Sequence, residues 1–172
     1  MAHARVSTFS PVALCLLAPL LTCAGGCGYQ QKSLYRDDVR TVAVPVFTNR
    51  TFHQGLELAL SKAVVNQLEA KSPYKVVSQS SADTILEGQV VEAAIRVVSK
   101  DVITNLPREQ NLTVAIDFVW KDLRTGAILR ERRNFQHAAV YYPTLGEGEF
   151  HGAQQVMDRL ALMIVQEMQA DW

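Results

Sequence analysis

An alternation of apolar and polar residues over positions 111–121 constrains the fold of this chain more than any other feature. Five large apolar side chains share one face of this segment: Leu112, Val114, Ile116, Phe118 and Trp120. Asp117 and Lys121 fall on the opposite face. Since successive side chains of a β-strand point to opposite sides, such a strand covers a core with one face only. The pattern predicts a sheet that is packed on one side and open on the other.

The rest of the chain supplies further strands and two helices. Apolar runs predict strands over 39–47, 74–78, 84–100 and 127–139, and recurrence at three and four residues predicts helices over 52–71 and 149–169. Thr51 or Asn49 is expected to cap the first helix, and Phe52 is expected to begin its apolar stripe. A bulge near Gly88 would explain the imperfect alternation of the long strand, and Gly126 is expected to shape a hairpin turn.

The resulting order is β-α-β-β-β-β-α. It predicts an α+β fold with a mixed sheet of four to five strands and two helices packed on one face. The strands at 39–47 and 74–78 flank a helix and are expected to be parallel. Asp117 and Lys121 would then lie on the open face.

The N-terminal segment indicates export. Arg5 precedes an apolar run over 12–21, which is shorter than the roughly 20 residues of a spanning helix. Small residues then lead to Cys27, which is the order of a signal peptide. The segment resembles the lipobox of bacterial lipoproteins, in which cleavage makes the cysteine a lipidated N-terminus. Cys23 is a rival position, but Thr22 is a poor residue before a cleavage point.

These observations divide the chain into three parts. We expect a lipoprotein signal peptide over 1–26, a lipidated tether over 27–38 and a single α+β domain over 39–172. No cysteine follows Cys27. Gly28 stands where an Asp would favour retention in the inner membrane, and by that resemblance the outer membrane is the expected destination.

Composition and motifs argue against several functions. Lys plus Arg and Asp plus Glu are balanced at 17 each, which is unlike a broad nucleic-acid-binding surface. The four histidines have no metal-ligand spacing, and neither phosphate-binding nor nucleophile motifs occur. We therefore expect no catalytic residue, no metal, no cofactor and no enzymatic activity. Arg130 and Arg132 share one strand face and are either a solvated edge or a site for a lipid phosphate.

An ordered set of short segments resembles the lipopolysaccharide-assembly lipoprotein family. The segments are Cys27-Gly28-Tyr29, Ser33-Leu34-Tyr35, the run TVAVPVFTNRT over 41–51, Asp83-x-x-Leu86-x-Gly88 and VWKDLRTG over 119–126. Together they cover nearly the whole chain beyond the signal peptide. The resemblance implies two helices on a mixed sheet, which agrees with the order derived above.

The resemblance also implies a role without an active site. Members are lipid-anchored partners of the outer-membrane β-barrel lipopolysaccharide translocon, which they plug and help to assemble, and they contact lipopolysaccharide. No short motif aligns the contact residues, so the basic residues expected at hairpin ends are the candidates: Lys100, Arg108 and Arg124, with Arg130 and Arg132 added from the arginine-rich strand. The alternative is a periplasm-facing lipoprotein that binds and activates another envelope machine, either a cell-wall synthase or a secretion pore.

Overall fold

The computed structural model describes residues 34–169. Within them the chain forms six strands and two α-helices. In chain order these are β1 (Thr41–Ala43), β2 (Thr48–Asn49), α1 (Leu56–Lys71), β3 (Lys75–Val76), β4 (Thr84–Lys100), β5 (Pro107–Asp122), β6 (Ile128–Tyr141) and α2 (Glu149–Glu167). Short 3-10 turns at Gln79–Ser81 and Pro143–Leu145 precede β4 and α2.

The strands form one mixed sheet in the order β3-β1-β4-β5-β6, and β2 pairs with β4 beyond the end of β1. β1 is parallel to both β3 and β4, while β4, β5 and β6 are antiparallel. The predicted fold class is confirmed. The sheet has six strands instead of the predicted four to five. Of the strand predicted over 39–47, only Thr41–Ala43 forms ladder pairs, and a second short strand, Thr48–Asn49, pairs with β4. Pro45, which cannot donate a ladder hydrogen bond, lies between them.

Both helices pack on the apolar face of the sheet. The alternating residues of β5, from Leu112 to Trp120, are buried there with Leu86 and Val90 of β4. The side chains of Met157, Leu160 and Ile164 in α2, and of Met168 just after it, recur at steps of three and four residues and are fully buried in the core. Burial of this apolar surface stabilises the two-layer arrangement.

The first helix begins four residues later than predicted. Phe52 lies before α1 and is fully exposed, at 103% of its reference area, so it is not part of the core stripe. The cause is the Asn49 side chain, which accepts from the backbone N–H and hydroxyl of Thr51 and donates to the carbonyl oxygen of His53 at 2.7 Å. Residues 50–55 are therefore held as a loop. Gly55, at φ 87°, is the N-cap, and no side chain caps this helix.

The bulge predicted near Gly88 is present in β4, between Val90 and Glu92. Before the bulge, Leu86, Gly88 and Val90 face the core, opposite Trp120, Phe118 and Ile116 of β5. After it, Ala93 and Ile95 continue the apolar face. Gly88 has another role, because the ring of buried Phe47 occupies the space where a side chain would lie.

β6 is an edge strand whose ladder is interrupted near its centre. The pairing with β5 shifts register between Ile116 and Phe118, and Asn134 has a positive φ of 50°. The Asn134 backbone N–H donates to Asp117 Oδ1 at 2.8 Å instead of following a regular ladder. β6 therefore has a kink at Asn134, and a second register shift lies between Trp120 and Lys121 of β5.

Candidate functional site

The five basic residues predicted from the sequence lie in three separate places. Lys100 ends β4 and Arg108 is the second residue of β5, so both flank the turn of the first hairpin. Arg124 lies in the turn between β5 and β6, and Arg130 and Arg132 lie within β6. The two turns are about 50 Å apart, because a 16-residue strand with a rise of about 3.3 Å per residue separates them. Cys27 lies outside the described residues.

Lys100 and Arg108 are exposed basic side chains at the far end of the first hairpin. Neither forms an ion pair or a side-chain hydrogen bond within residues 34–169. The pKa of Asp101 is lowered chiefly by the backbone N–H groups of Thr104 and Ile103, and the charge of Arg108 adds a smaller effect. The two cations are thus available to an anionic ligand.

Arg124 is engaged by the protein itself. Its guanidinium donates to Asp122 Oδ2 at 3.0 Å and to the carbonyl oxygen of Asp38 at 3.1 Å. The Asp122 carboxylate also accepts from the backbone N–H groups of Arg124 at 2.7 Å and Thr125 at 3.1 Å. These donors, the Arg124 side chain first, lower the pKa of Asp122 to about 2. The second turn is therefore closed by a charged cluster.

The same cluster holds the chain segment that leads into the domain. Arg36 pairs with Asp38 at 3.0 Å, and the Arg36 backbone N–H donates to the Tyr74 hydroxyl at 3.0 Å. Tyr35 meets Tyr74 edge to face at 5.5 Å between ring centroids, and Tyr74 contacts buried Trp120 at 5.8 Å. Residues 35–38, within the predicted tether, are thus packed against the domain. The sequence analysis did not predict that residues 35–38 pack on the domain. Two tyrosines, Tyr35 and Tyr74, were the signal available in the sequence.

The lowered pKa of Asp122 predicts acid sensitivity. Because its folded pKa of about 2 is below the ordinary value of 3.8, Asp122 contributes stability that is present above pH 3.8 and is lost as the pH falls toward 2. We expect Asp122→Asn to be less stable at neutral pH and to lose less of its remaining stability on acidification. Urea-unfolding midpoints at several pH values measure this. Asp37→Asn, at an exposed position, is the control, and parallel acid profiles for Asp122→Asn and the native chain would contradict the prediction.

Arg130 and Arg132 hold the C-terminal end of α2. Arg132 Nη2 lies 2.7 Å from Glu167 Oε2, and Arg130 Nε donates to the Glu167 carbonyl oxygen at 2.9 Å. A cation at the C-terminal end of a helix also interacts favourably with the helix dipole. Both guanidinium groups therefore connect the edge strand to the last turn of α2, whatever other contacts they make. Arg133 points to the opposite face and pairs with Glu131 at 2.9 Å.

The open face of the sheet is polar, and several of its side chains bond one another. Lys121 Nζ lies 3.0 Å from Glu87 Oε2, and Gln89 Nε2 donates to Asp117 Oδ2 at 3.0 Å. Val119 lies between these groups on the same face, in the register Glu87–Val119–Glu131. As predicted, this face carries Asp117 and Lys121, and near Val119 its polar side chains bond one another.

A cleft separates the N-terminal ends of the two helices. It has a volume of about 640 Å³ and is lined by Phe52, Leu56, Ala59, Phe150 and Ala153, among others. His53 Nδ1 and Glu149 Oε1 lie 2.9 Å apart across it. The cleft is mainly apolar.

Two further properties concern only the part of the chain that the structure describes. No group of three or more His, Cys, Asp or Glu side chains there is placed to hold a metal ion. Neither helix of residues 34–169 has the length and hydropathy needed to cross a bilayer.

Solved structures share this fold at low sequence identity. The dodecameric PelC of Paraburkholderia phytofirmans matches with a TM-score of 0.55 and 17% identity, over 81% of this chain and 96% of that one. The hypothetical protein CT253 of Chlamydia trachomatis matches with a TM-score of 0.51 and 12% identity, over 74% and 94% of the two chains. At these identities the likeness extends to the fold alone. A comparison with curated proteins gave no match.

A match to a family profile is stronger evidence of relationship than the likeness to these solved structures. The profile described as LptE, lipopolysaccharide-assembly, matches residues 39–171, which include every strand and both helices described above. The match covers most of the chain and agrees with the resemblance carried by the short segments along it. The chain belongs to the LptE family of lipopolysaccharide-assembly proteins.

Proposed function

We propose that the chain is an outer-membrane lipoprotein, anchored through Cys27, that plugs a β-barrel lipopolysaccharide translocon. In this role it helps the barrel to assemble and assists the insertion of lipopolysaccharide into the outer leaflet. The observation that carries the proposal is the family match over residues 39–171. The work requires a rigid body of suitable shape and surface, and no catalytic group.

The open sheet face is the surface that we assign to the barrel wall. Around Val119, the ion pair between Lys121 and Glu87 and the hydrogen bond between Gln89 and Asp117 give these polar groups partners within the protein. Desolvating an unpaired charge is costly, whereas a neutralised polar face can approach the polar inner wall of a barrel with less penalty. The opposite face of the sheet is covered by the helices and is not available for such contact.

We assign the contact with lipopolysaccharide phosphates to Lys100 and Arg108. Both are exposed at the first hairpin, where their charges are not neutralised by ion pairs within the described residues. Arg124, Arg130 and Arg132 already bind acidic or carbonyl groups of the protein. Their recruitment by a lipid would require these internal contacts to be broken.

Copurification from native membranes tests the role in the translocon. The full chain, tagged after Trp172, is isolated in mild detergent, and a barrel protein is expected in near-equal amount. Val119→Arg places a bulky side chain on the open face, and we expect it to abolish recovery of the barrel. Leu58→Arg, on an exposed position of α1, is the matched control and should retain it. Recovery of a cell-wall synthase or a secretion pore in place of a barrel would overturn the proposal.

The lipopolysaccharide content of the same eluates tests the basic contacts. Reversing Lys100 and Arg108 to glutamate should reduce bound lipopolysaccharide about tenfold, which corresponds to the loss of about 1.4 kcal/mol of binding free energy. The barrel should still copurify. Reversal of Lys62 and Lys75, both exposed, changes the net charge equally and is the control. Equal losses in the two double variants would contradict the assignment to Lys100 and Arg108.

A further inference from the structure

The second half of β4 has an open edge on the side away from β5. The short parallel strands on that side pair only with Thr84 and Ile85, through β1, and with Gln89 and Val90, through β2. The Arg50 N–H then donates to the Val90 carbonyl oxygen at 2.9 Å. Beyond Val90, no strand of the described chain continues this pairing. Backbone groups along such an edge are a template for a further strand.

The open edge contains one regular stretch. Pairing with β5 is in continuous register from Glu92 to Val97, and it shifts between Val90 and Glu92 and between Val97 and Ser99. The stretch reads EAAIRV and holds neither proline nor glycine, so every residue keeps its backbone donor. At about 3.3 Å per residue it is about 20 Å long. We call residues 92–97 the free β4 edge.

The two faces of the free β4 edge differ in character. Ala93 and Ile95 pack against the core on the helix side of the sheet. Glu92, Ala94 and Arg96 share the open face, where Glu92 and Arg96 are exposed. In the part of the chain that the structure describes, neither of these two charges forms an ion pair. An acid and a base thus lie four residues apart on one face, with a small side chain midway between them.

This pattern is complementary to itself in antiparallel pairing. If a two-fold axis passes through a strand pair at Ala94, that residue lies opposite its own counterpart, and Glu92 lies opposite Arg96 of the second copy, twice. On the other face, each Ala93 lies opposite Ile95 of the second copy. Opposite charges in directly facing positions stabilise a strand pair, whereas like charges destabilise it. An axis one residue away in either direction would place both charges opposite alanine or valine, so the charges specify the register.

We propose that two copies of the chain pair through their free β4 edges, antiparallel and centred on Ala94. The contact joins the two sheets edge to edge and forms two ion pairs between Glu92 and Arg96. It ends after Val97, because the next residue would face Val90 of the second copy, where β2 already occupies the edge. Since few residues take part, the contact is below the area of a stable interface, and the dimer exchanges with the monomer. The pairing goes beyond the proposed function, and its test does not depend on a barrel.

Disulfide trapping of the full chain in native membranes tests the pairing. In Ala94→Cys the two thiols would face each other with about 5 Å between Cβ atoms, close enough to form a disulfide on mild oxidation. Gln136→Cys, exposed on the opposite edge strand β6, is the matched control. We expect a disulfide-linked dimer at position 94, in at least about fivefold higher yield than at position 136 or in the chain without an added cysteine. Equal yields at the two positions, or a mixed disulfide with another protein as the main product at position 94, would overturn the proposal.

Charge variants separate the proposed register from chance collision of two chains. In the Ala94→Cys chain, either Glu92→Arg or Arg96→Glu places like charges opposite each other twice and should lower the dimer yield about tenfold. The two changes together restore opposite charges and should recover the yield. All these charges are exposed, so the fold should be retained, and circular dichroism checks this. Glu69→Arg, at an exposed position of α1, is the control for net charge and should leave the yield unchanged. Equal yields in the single and the combined charge variants would overturn the pairing.

Discussion

Gly88→Ala is expected to destabilise the protein by about 3 kcal/mol, the upper range for overpacking a core. A Cβ atom at this position would lie 2.6 Å from Phe47 Cδ1 and 2.8 Å from the carbonyl oxygen of Asp117. Neither neighbour can easily move. Phe47 is buried and its backbone N–H donates to Ser61 Oγ at 2.9 Å, while the Asp117 carbonyl belongs to the adjacent strand. Urea unfolding followed by circular dichroism gives the free energy of unfolding.

Gly148→Ala is the matched control for Gly88→Ala. No atom lies within 4 Å of a Cβ built at Gly148, and its φ of −85° suits any residue. We expect a change of less than about 0.5 kcal/mol there. Adding Phe47→Leu to Gly88→Ala should recover part of the loss, since the substitution removes the ring that fills the space. Similar unfolding midpoints for the two alanine variants would contradict the packing described for Gly88.

Trp120→Ala is expected to cost about 4 kcal/mol, within the range for truncating a buried aromatic residue. Trp120 is 2% exposed and contacts Tyr74, which in turn contacts Tyr35 where the chain joins the domain. Its removal should therefore loosen residues 35–38 as well as the core. Thermal unfolding measures the first effect, and the rate of proteolytic cleavage near Arg36 measures the second.

Trp120→Phe distinguishes loss of packing from loss of a polar contact. Within the described residues the indole Nε1 forms no hydrogen bond, so phenylalanine loses area but also removes a buried, unpaired donor. We expect a cost of only about 1 kcal/mol. Phe150→Ala, at an exposed aromatic position, should be nearly neutral. A large loss in Trp120→Phe would show that the indole nitrogen has a partner that stabilises the protein.

The regular elements could be predicted because their patterns are local. The predicted bounds of β4 agree with the observed Thr84–Lys100, and the alternation in β5 correctly indicated which face is buried. The errors arose where a single side chain or a contact with a distant part of the chain determines where an element begins or ends. The hydrogen bonds of the Asn49 side chain, for example, moved the start of α1 to Leu56.

The candidate site was predictable only in part, for a similar reason. The sequence identified basic residues at hairpin ends, and Lys100, Arg108 and Arg124 do lie there. It contained no local signal that Arg132 would meet Glu167 or that Arg124 would reach the backbone of Asp38, because these partners are 35 and 86 residues away along the chain. Which cations remain available to a ligand is therefore a property of the tertiary structure.

The kink at Asn134 makes the edge of the sheet less suited to pairing with strands of other molecules. β6 is an edge of the sheet, and a long regular edge can recruit strands of other molecules into intermolecular aggregates. The positive φ of 50° at Asn134 divides the edge into two shorter stretches, and the exposed Arg133 beside it adds charge to the break. An edge interrupted in this way is a poorer template for fibril-like association.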